Sequence, residues 1–315
     1  MDGTERISIL CLGELFGTVE EDLRRHGFEL LHADSAAADQ AGARAILRGH
    51  GQVTEALMSA LPRLEAIASV GVGYDAVDVS AALKRGIAIS NTPGVLDAEV
   101  ADFAMGLLLA TLREIPQAAN YLRAGKWPAG PYPLSPTLRG RTVGIVGIGR
   151  IGREIALRVQ AFGVPVVYHS RRPRPELPWR HYDRLADMAA AVDTLIVVVP
   201  GGAETRRLID GAILDALGPT GVIINIARGS VMDEQALILA LRERRILAAG
   251  LDVFENEPDI DRALLDMPNV TATPHVASGT AYTRGLMWNL ARDNLIAWFS
   301  GRGLVSPIPE LAGRR

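Results

Sequence analysis

Residues 142–152 read Thr142-Val143-Gly144-Ile145-Val146-Gly147-Ile148-Gly149-Arg150-Ile151-Gly152. An apolar run entering glycines at this spacing reads as a buried strand turning sharply into a helix. Gly147 makes the tight turn, Gly149 keeps a side chain away from an approaching anion, and Gly152 lets helix lie close on strand. The helix start, at Arg150 and Ile151, offers unbonded N–H groups and a positive dipole end. Glycine spacing alone is a weak signal in a chain with 32 glycines. Its context is stronger. The helix continues as Glu154-Ile155-Ala156-Leu157-Arg158-Val159, and a second apolar strand, Val164-Pro165-Val166-Val167-Tyr168, follows at βαβ spacing. This predicts a dinucleotide pyrophosphate on residues 147–152.

Upstream, short apolar strands near 7–12, 28–32, 45–47, 66–70 and 88–90 alternate with helical patterns, notably 54–61 and 76–85. Such alternation implies parallel α/β layers. The turn after the first strand, Gly13-Glu14-Leu15-Phe16-Gly17, lacks the fingerprint, so the nucleotide belongs to the second unit. The pattern breaks at Pro93-Gly94, a helix capped by Asp97 runs over 98–112, and a Pro/Gly-rich break spans 125–136. Further strands fall at 194–199, 222–226, 247–251 and 270–272, before a final helix over 280–299. The expected fold is α/β: two doubly wound parallel-sheet domains with an inter-domain cleft. One is a flavodoxin-like substrate domain of 1–97 plus 283–315, made discontinuous by the returning last helix. The other is a Rossmann dinucleotide-binding domain of 98–282.

A length of 315 residues accommodates two such domains, and 48% apolar with 22% charged residues is the balance of a globular protein. The net charge of −3 argues against a nucleic-acid partner. A basic cluster at Arg242-Glu243-Arg244-Arg245 reads as a solvated helix face. The lone Cys11, inside an apolar run, predicts a buried thiol and no disulfide framework. No uncharged apolar stretch approaches the roughly 20 residues of a membrane span. The opening residues, with Asp2 and Glu5, show no targeting pattern. The expectation is a cytoplasmic protein with no membrane partner.

After the second strand of a fingerprint unit, an NAD-preferring chain places a carboxylate for the ribose 2′-hydroxyl. Here Tyr168-His169-Ser170-Arg171-Arg172 puts a hydroxyl and two guanidiniums there instead. A carboxylate would repel a 2′-phosphate, whereas Ser170, Arg171 and Arg172 should attract one. NADP(H) is therefore expected, with NAD(H) as a second cofactor; the competing reading makes the arginines solvated loop charges. Three later strands end in groups with chemistry. Arg228 follows Asn225-Ile226-Ala227, the acids of Asp252-Val253-Phe254-Glu255-Asn256-Glu257-Pro258 follow the next strand, and His275 lies in Thr273-Pro274-His275-Val276-Ala277-Ser278-Gly279. Singly each has a dull explanation. Together they supply carbonyl reduction: a cation to polarise C=O, a histidine to donate a proton, and a carboxylate to fix the imidazole. The His and acid spacings match no short zinc motif, so no metal is expected.

These segments resemble the D-isomer-specific 2-hydroxyacid dehydrogenase family over about residues 64–294. Leu64-Glu65-Ala66-Ile67-Ala68-Ser69-Val70-Gly71-Val72-Gly73-Tyr74-Asp75 is similar to the family's substrate-carboxylate loop. Residues 84–93 and Val100-Ala101-Asp102 are similar to its inter-domain segment. The resemblance implies Arg228, Glu257 and His275 as the catalytic set, and the backbone N–H groups of Val72 and Gly73, with Arg228, as substrate binders. It implies cofactor contacts at Val199, Pro200, Thr205, Ile226, Ala227, Arg228, Asp252, His275, Ser278 and Gly279, besides the glycine loop and residues 170–172. It also implies a homodimer through the 98–136 region. Within the family, residues 170–172 and 273–279 look most like NADPH-dependent glyoxylate/hydroxypyruvate reductases. The rival readings are an NAD-linked dehydrogenase of the phosphoglycerate type and a non-catalytic, nucleotide-sensing co-regulator on the same scaffold. Arg48, His50 and Trp127 carry no assigned role.

Overall fold

In a computed structural model of the chain, residues 6–32 and 35–311 are described; Asp2 and Glu5 lie outside them. Two compact units divide the chain, residues 1–96 with 279–315 and residues 97–278. In the first unit the strands are β1 (Ser8–Leu12), β2 (Glu29–Leu31), β3 (Ala45–Arg48), β4 (Ala66–Ser69) and β5 (Ala88–Ser90). Helices α1 (Val19–Arg25), α2 (Ala37–Ala41), α3 (Glu55–Ala60) and α4 (Val79–Lys84) alternate with them. The sheet runs β2-β1-β3-β4-β5, every pairing parallel, which is the flavodoxin-like order. β4 is buried at all four residues. That is why its sequence shows small and apolar residues on both faces and no alternation with charged ones. Cys11 is buried in β1, and burial pushes its thiol up to about 12.

The second unit opens with α5 (Asp97–Leu112) and α6 (Ile115–Arg123). Then come β6 (Val143–Val146), α7 (Arg150–Ala161), β7 (Val166–His169), β8 (Arg180–Tyr182), α8 (Leu185–Ala189), β9 (Thr194–Val197) and α9 (Gly211–Leu217). β10 (Val222–Asn225), α10 (Glu234–Arg242), β11 (Ala248–Leu251), α11 (Arg262–Leu265) and β12 (Val270–Ala272) complete it. The last helix, α12 (Ala281–Phe299), belongs to the first unit. The order β12-β11-β10-β9-β6-β7-β8 is again all parallel. Strand order reverses beside β6, and ligands of open α/β sheets bind at the carboxyl ends of strands at such a switch point. The glycine loop leaves β6 there.

Close backbone approach explains several small residues of this unit. A Cβ on Gly250 of β11 would sit 2.5 Å from Thr111 Oγ1, so the glycine lets α5 lie against the sheet. Two elements fall outside those expected from the sequence: β8, a three-residue polar edge strand, and α6, which follows Glu114 in the left-handed region (φ 50°). The 242–245 cluster is not a helix face. α10 ends at Arg242, Arg244 takes φ 55°, and Arg245 turns back to pair with Glu243 (2.9 Å) and with Asp215 of α9.

Candidate active site

The glycine loop separates packing from ligand space. Gly147 has φ +102°, and a Cβ there would meet Val199 Cγ1 at 2.9 Å and the Val198 carbonyl oxygen at 3.0 Å. A Cβ on Gly152 would overlap the Gly147 carbonyl oxygen. A Cβ on Gly149 would meet nothing within 4 Å. Gly147 and Gly149 line a cavity of about 770 Å³ with Ser170, Arg171, Arg172, Val199, Pro200 and Thr205. The outer glycines are thus required by the fold, and the middle one borders open space where a dinucleotide phosphate fits. Arg150 stands exposed at the start of α7, with Ile151 half-buried beside it.

Around the far end of the cavity, Arg171 Nη1 pairs with Glu204 Oε2 at 2.7 Å, both side chains largely exposed. Ser170 Oγ donates to the Arg172 carbonyl at 2.7 Å, and Thr205 Oγ1 donates to the Pro200 carbonyl at 2.7 Å. The two guanidiniums and the glycine cradle together fit a dinucleotide bearing a 2′-phosphate.

The carboxyl ends of β10, β11 and β12 carry the other groups. His275 holds φ 50°, a conformation rare outside glycine, and its N–H donates to the Asp252 carbonyl at 2.9 Å. Its Nδ1 lies 2.7 Å from Glu257 Oε2, while the Phe254 N–H donates to Glu257 Oε1 at 2.9 Å. Partial burial pushes the Glu257 carboxyl up. The hydrogen bonds from His275 and Phe254, and the nearby charges of His275 and Arg228, outweigh that and hold it below its ordinary value. A carboxylate only accepts, so Nδ1 carries a proton and Nε2 is the atom left for chemistry. Asp252 is buried and accepts from Thr273 Oγ1 (2.7 Å) and from the N–H groups of Val276 and Ala277 (both 2.9 Å). These bonds hold the loop that presents His275. Ser278 follows half-buried, and Gly279 is exposed just beyond the unit.

Arg228 extends from the end of β10 behind buried Ile226 and Ala227, its Nη1 donating to the Ala227 carbonyl at 2.7 Å. Asn225 fixes this turn: its Nδ2 donates to the Arg228 carbonyl at 3.2 Å and its Oδ1 accepts from the Ala227 N–H at 3.0 Å. Behind the Glu257 loop, buried Glu234 accepts from the Glu255 N–H, and a Cβ on Gly229 would overlap the backbone of Phe254 and Glu255. In the first unit, Val72 and Gly73 follow β4. Their N–H groups donate to no acceptor among the described residues. Gly71, at φ +116°, is tied on both sides to Thr92, and Asn91 Nδ2 donates to the Val72 carbonyl at 2.8 Å.

The family model for the NAD-binding domain of D-isomer specific 2-hydroxyacid dehydrogenases matches residues 105–277. The chain belongs to that family. Among its relatives, the glyoxylate/hydroxypyruvate reductase A of Arabidopsis thaliana is 45% identical over 252 residues, 80% of each chain. The 2-ketogluconate reductase of Gluconobacter oxydans is 45% identical over 266 residues, covering 84% of this chain and 86% of that one. The NADPH-dependent glyoxylate/hydroxypyruvate reductase of Sinorhizobium meliloti, solved with NADP and malonate, superposes with TM-score 0.94 at 50% identity, covering 99% of both chains.

Within this family member, the positioning groups Asn225, Glu234, Asn91 and Thr92 were not legible as such from sequence. Each acts through a bond to backbone that is distant in the chain or bent in an irregular turn. The signal available for Glu234 was only its place at a helix start after Asp233, which also suits an ordinary cap. Arg48 ends β3 and donates from Nε to the Gly51 carbonyl (2.7 Å) and from Nη1 to Ser69 Oγ (3.0 Å), which shapes its own loop.

Proposed function

We propose that this protein is an NADPH-dependent reductase that converts small 2-oxo acids of the glyoxylate and hydroxypyruvate type to D-2-hydroxy acids. The observation that carries the reading is the His275–Glu257 pair, held at 2.7 Å on the unit that also carries the open glycine cradle. NADPH, with its phosphates on Gly147–Gly149 and its 2′-phosphate at Arg171 and Arg172, would supply the hydride. His275 Nε2–H donates a proton to the substrate oxygen, and Glu257 stabilises the imidazolium and fixes its orientation. Arg228 places a cation for the carboxylate and the carbonyl of the 2-oxo acid. The unsatisfied N–H groups of Val72 and Gly73 are proposed donors to the substrate carboxylate. The relatives named above reduce or are named for 2-oxo acids and a keto sugar acid, which supports this substrate class.

A second copy of the chain is the proposed partner. Ile115 and Leu122 on α6, with Trp127 and Leu134 after it, are apolar and exposed. Tyr121, which stacks edge-on against Tyr132 and donates to the Gly130 carbonyl at 2.9 Å, holds this segment against α6. An apolar face of this kind marks an interaction surface. No helix among the described residues is long and apolar enough to cross a membrane. The buried free thiol of Cys11 supports a reducing, cytoplasmic location.

The test is a panel of glyoxylate, hydroxypyruvate, pyruvate, phenylpyruvate and 2-ketogluconate, each assayed with NADPH and NADH by loss of reduced-nicotinamide absorbance. Turnover of at least one acid with a clear NADPH preference is expected. Saturable NADPH binding without turnover of any acid would sink the reductase reading in favour of a nucleotide sensor.

A further inference from the structure

We propose that His169 reads the 2′ position of the adenosine ribose, accepting from a 2′-hydroxyl when neutral and donating to a 2′-phosphate when protonated, so that NADPH binding takes up a proton. The inference rests on the cavity being the NADPH site. His169 is the last residue of β7, where a carboxylate would select NAD. Its carbonyl accepts the Gly147 N–H at 2.9 Å, which locks this strand end to the glycine turn. His169 lines the cavity beside Ser170, Arg171 and Arg172.

The tautomer follows from one contact. His169 Nδ1 lies 2.9 Å from the carbonyl oxygen of Tyr182, the residue paired with it across β7 and β8. A carbonyl cannot donate, so Nδ1 bears the hydrogen and Nε2 of the neutral ring bears a lone pair. Nε2 makes no hydrogen bond among the described residues. A ribose hydroxyl can donate to that lone pair. A phosphate dianion offers only acceptors, and it is matched only when Nε2 is protonated. Two of the polar groups nearby are already engaged: the Ser170 hydroxyl donates to the Arg172 carbonyl, and Arg171 pairs with Glu204. A histidinium donor would complete the charge set for a 2′-phosphate.

The charged neighbours of His169 allow this. Arg171, Arg172, Arg174 and Glu204 line the same cavity. On β8, His181 Nε2 lies 3.0 Å from the Ser170 carbonyl, and its Nδ1 faces Asp183 at 3.4 Å. β6 contributes no titratable side chain. On α7, Arg153 is paired with Glu176 and Arg158 with Asp102 and Glu154; on α8, Asp187 faces Arg184. A bound dianion beside the ring favours the imidazolium.

Calorimetric titration of the full-length protein with NADPH and NADH, in two buffers of different protonation enthalpy, counts the protons. At about pH 7.5, NADPH should take up close to one proton and NADH close to none. His169→Gln, which keeps a donor and an acceptor but does not titrate, should bind NADPH with no uptake. Between about pH 6 and pH 8 its affinity for NADPH should fall about tenfold less than that of the wild type. The 2′-phosphate itself, with a second pKa near 6, could only release protons on binding as the dianion. Uptake that survives in His169→Gln, as it would if His181 were the titrating group, overturns the assignment, as does NADPH binding without uptake in the wild type. Absence of NADPH binding altogether would instead remove the cofactor reading beneath it.

Discussion

Glu257 and His275 show how one contact settles two properties. The 2.7 Å bond fixes the imidazole tautomer, and the same bond helps hold the Glu257 carboxyl below its ordinary value. A depressed folded value means that Glu257 stabilises the fold above its unfolded pKa and that this contribution is lost as pH falls through the folded one. Denaturant unfolding at a series of pH values should therefore show Glu257→Gln less stable than the wild type near neutrality, with the gap closing in acid. A constant gap would contradict the assignment. On activity, Arg228→Ala and His275→Ala should each lower kcat/KM by about 10²- to 10⁴-fold. Their NADPH dissociation constants, read by fluorescence titration, should stay within a few-fold of the wild type. Arg228 is held by Asn225 and His275 by Asp252, so loss of catalysis at these positions needs no change of fold.

The β6-to-α7 turn carries two kinds of glycine that look alike in sequence. At Gly152 a methyl would overlap the Gly147 carbonyl, so helix and strand must separate. Gly152→Ala should cost about 1–3 kcal/mol of stability, visible as a Tm lower by several degrees. At Gly149 a methyl enters open cavity. Gly149→Ala should leave Tm unchanged while weakening NADPH binding by about tenfold or more, a loss of about 1.4 kcal/mol. Equal loss of Tm in both variants would show that Gly149, too, serves packing. Gly229 belongs with Gly152, because an added Cβ there would overlap the backbone of Phe254 and Glu255, at the start of the Glu257 loop.

For the whole molecule, two parallel sheets of five and seven strands place every assigned loop at strand carboxyl ends. The apolar face of α6 and the segment after it is the largest departure from a polar surface in the 97–136 region: Trp127 is 65% and Leu134 102% exposed. Trp127→Asp with Leu134→Asp should convert a dimer into monomers in light scattering while circular dichroism stays that of the wild type. A wild-type protein that is monomeric at micromolar concentration would remove the proposed partner.

How much of this was legible in the chain depends on the range of the interaction that decides it. A parallel sheet follows from alternating apolar strands and helices joined by right-handed crossovers, so residues 142–169 announced the second sheet locally. Strand ends are local too, so Arg228, the acids of 252–257 and His275 could be singled out from the residues beside them, while the family resemblance chose Glu257 among those acids. β8 and α6 were not legible. One is a polar edge strand that needs only one neighbour, and the other begins after a left-handed residue that no pattern marks. Sequence alone determined the fold class and the chemistry of the strand ends, because both depend on residues adjacent in the chain. Tertiary structure decided which bonds hold the loop that presents His275 and which nitrogen of His169 is free. Each of those depends on an atom brought close from a distant part of the chain.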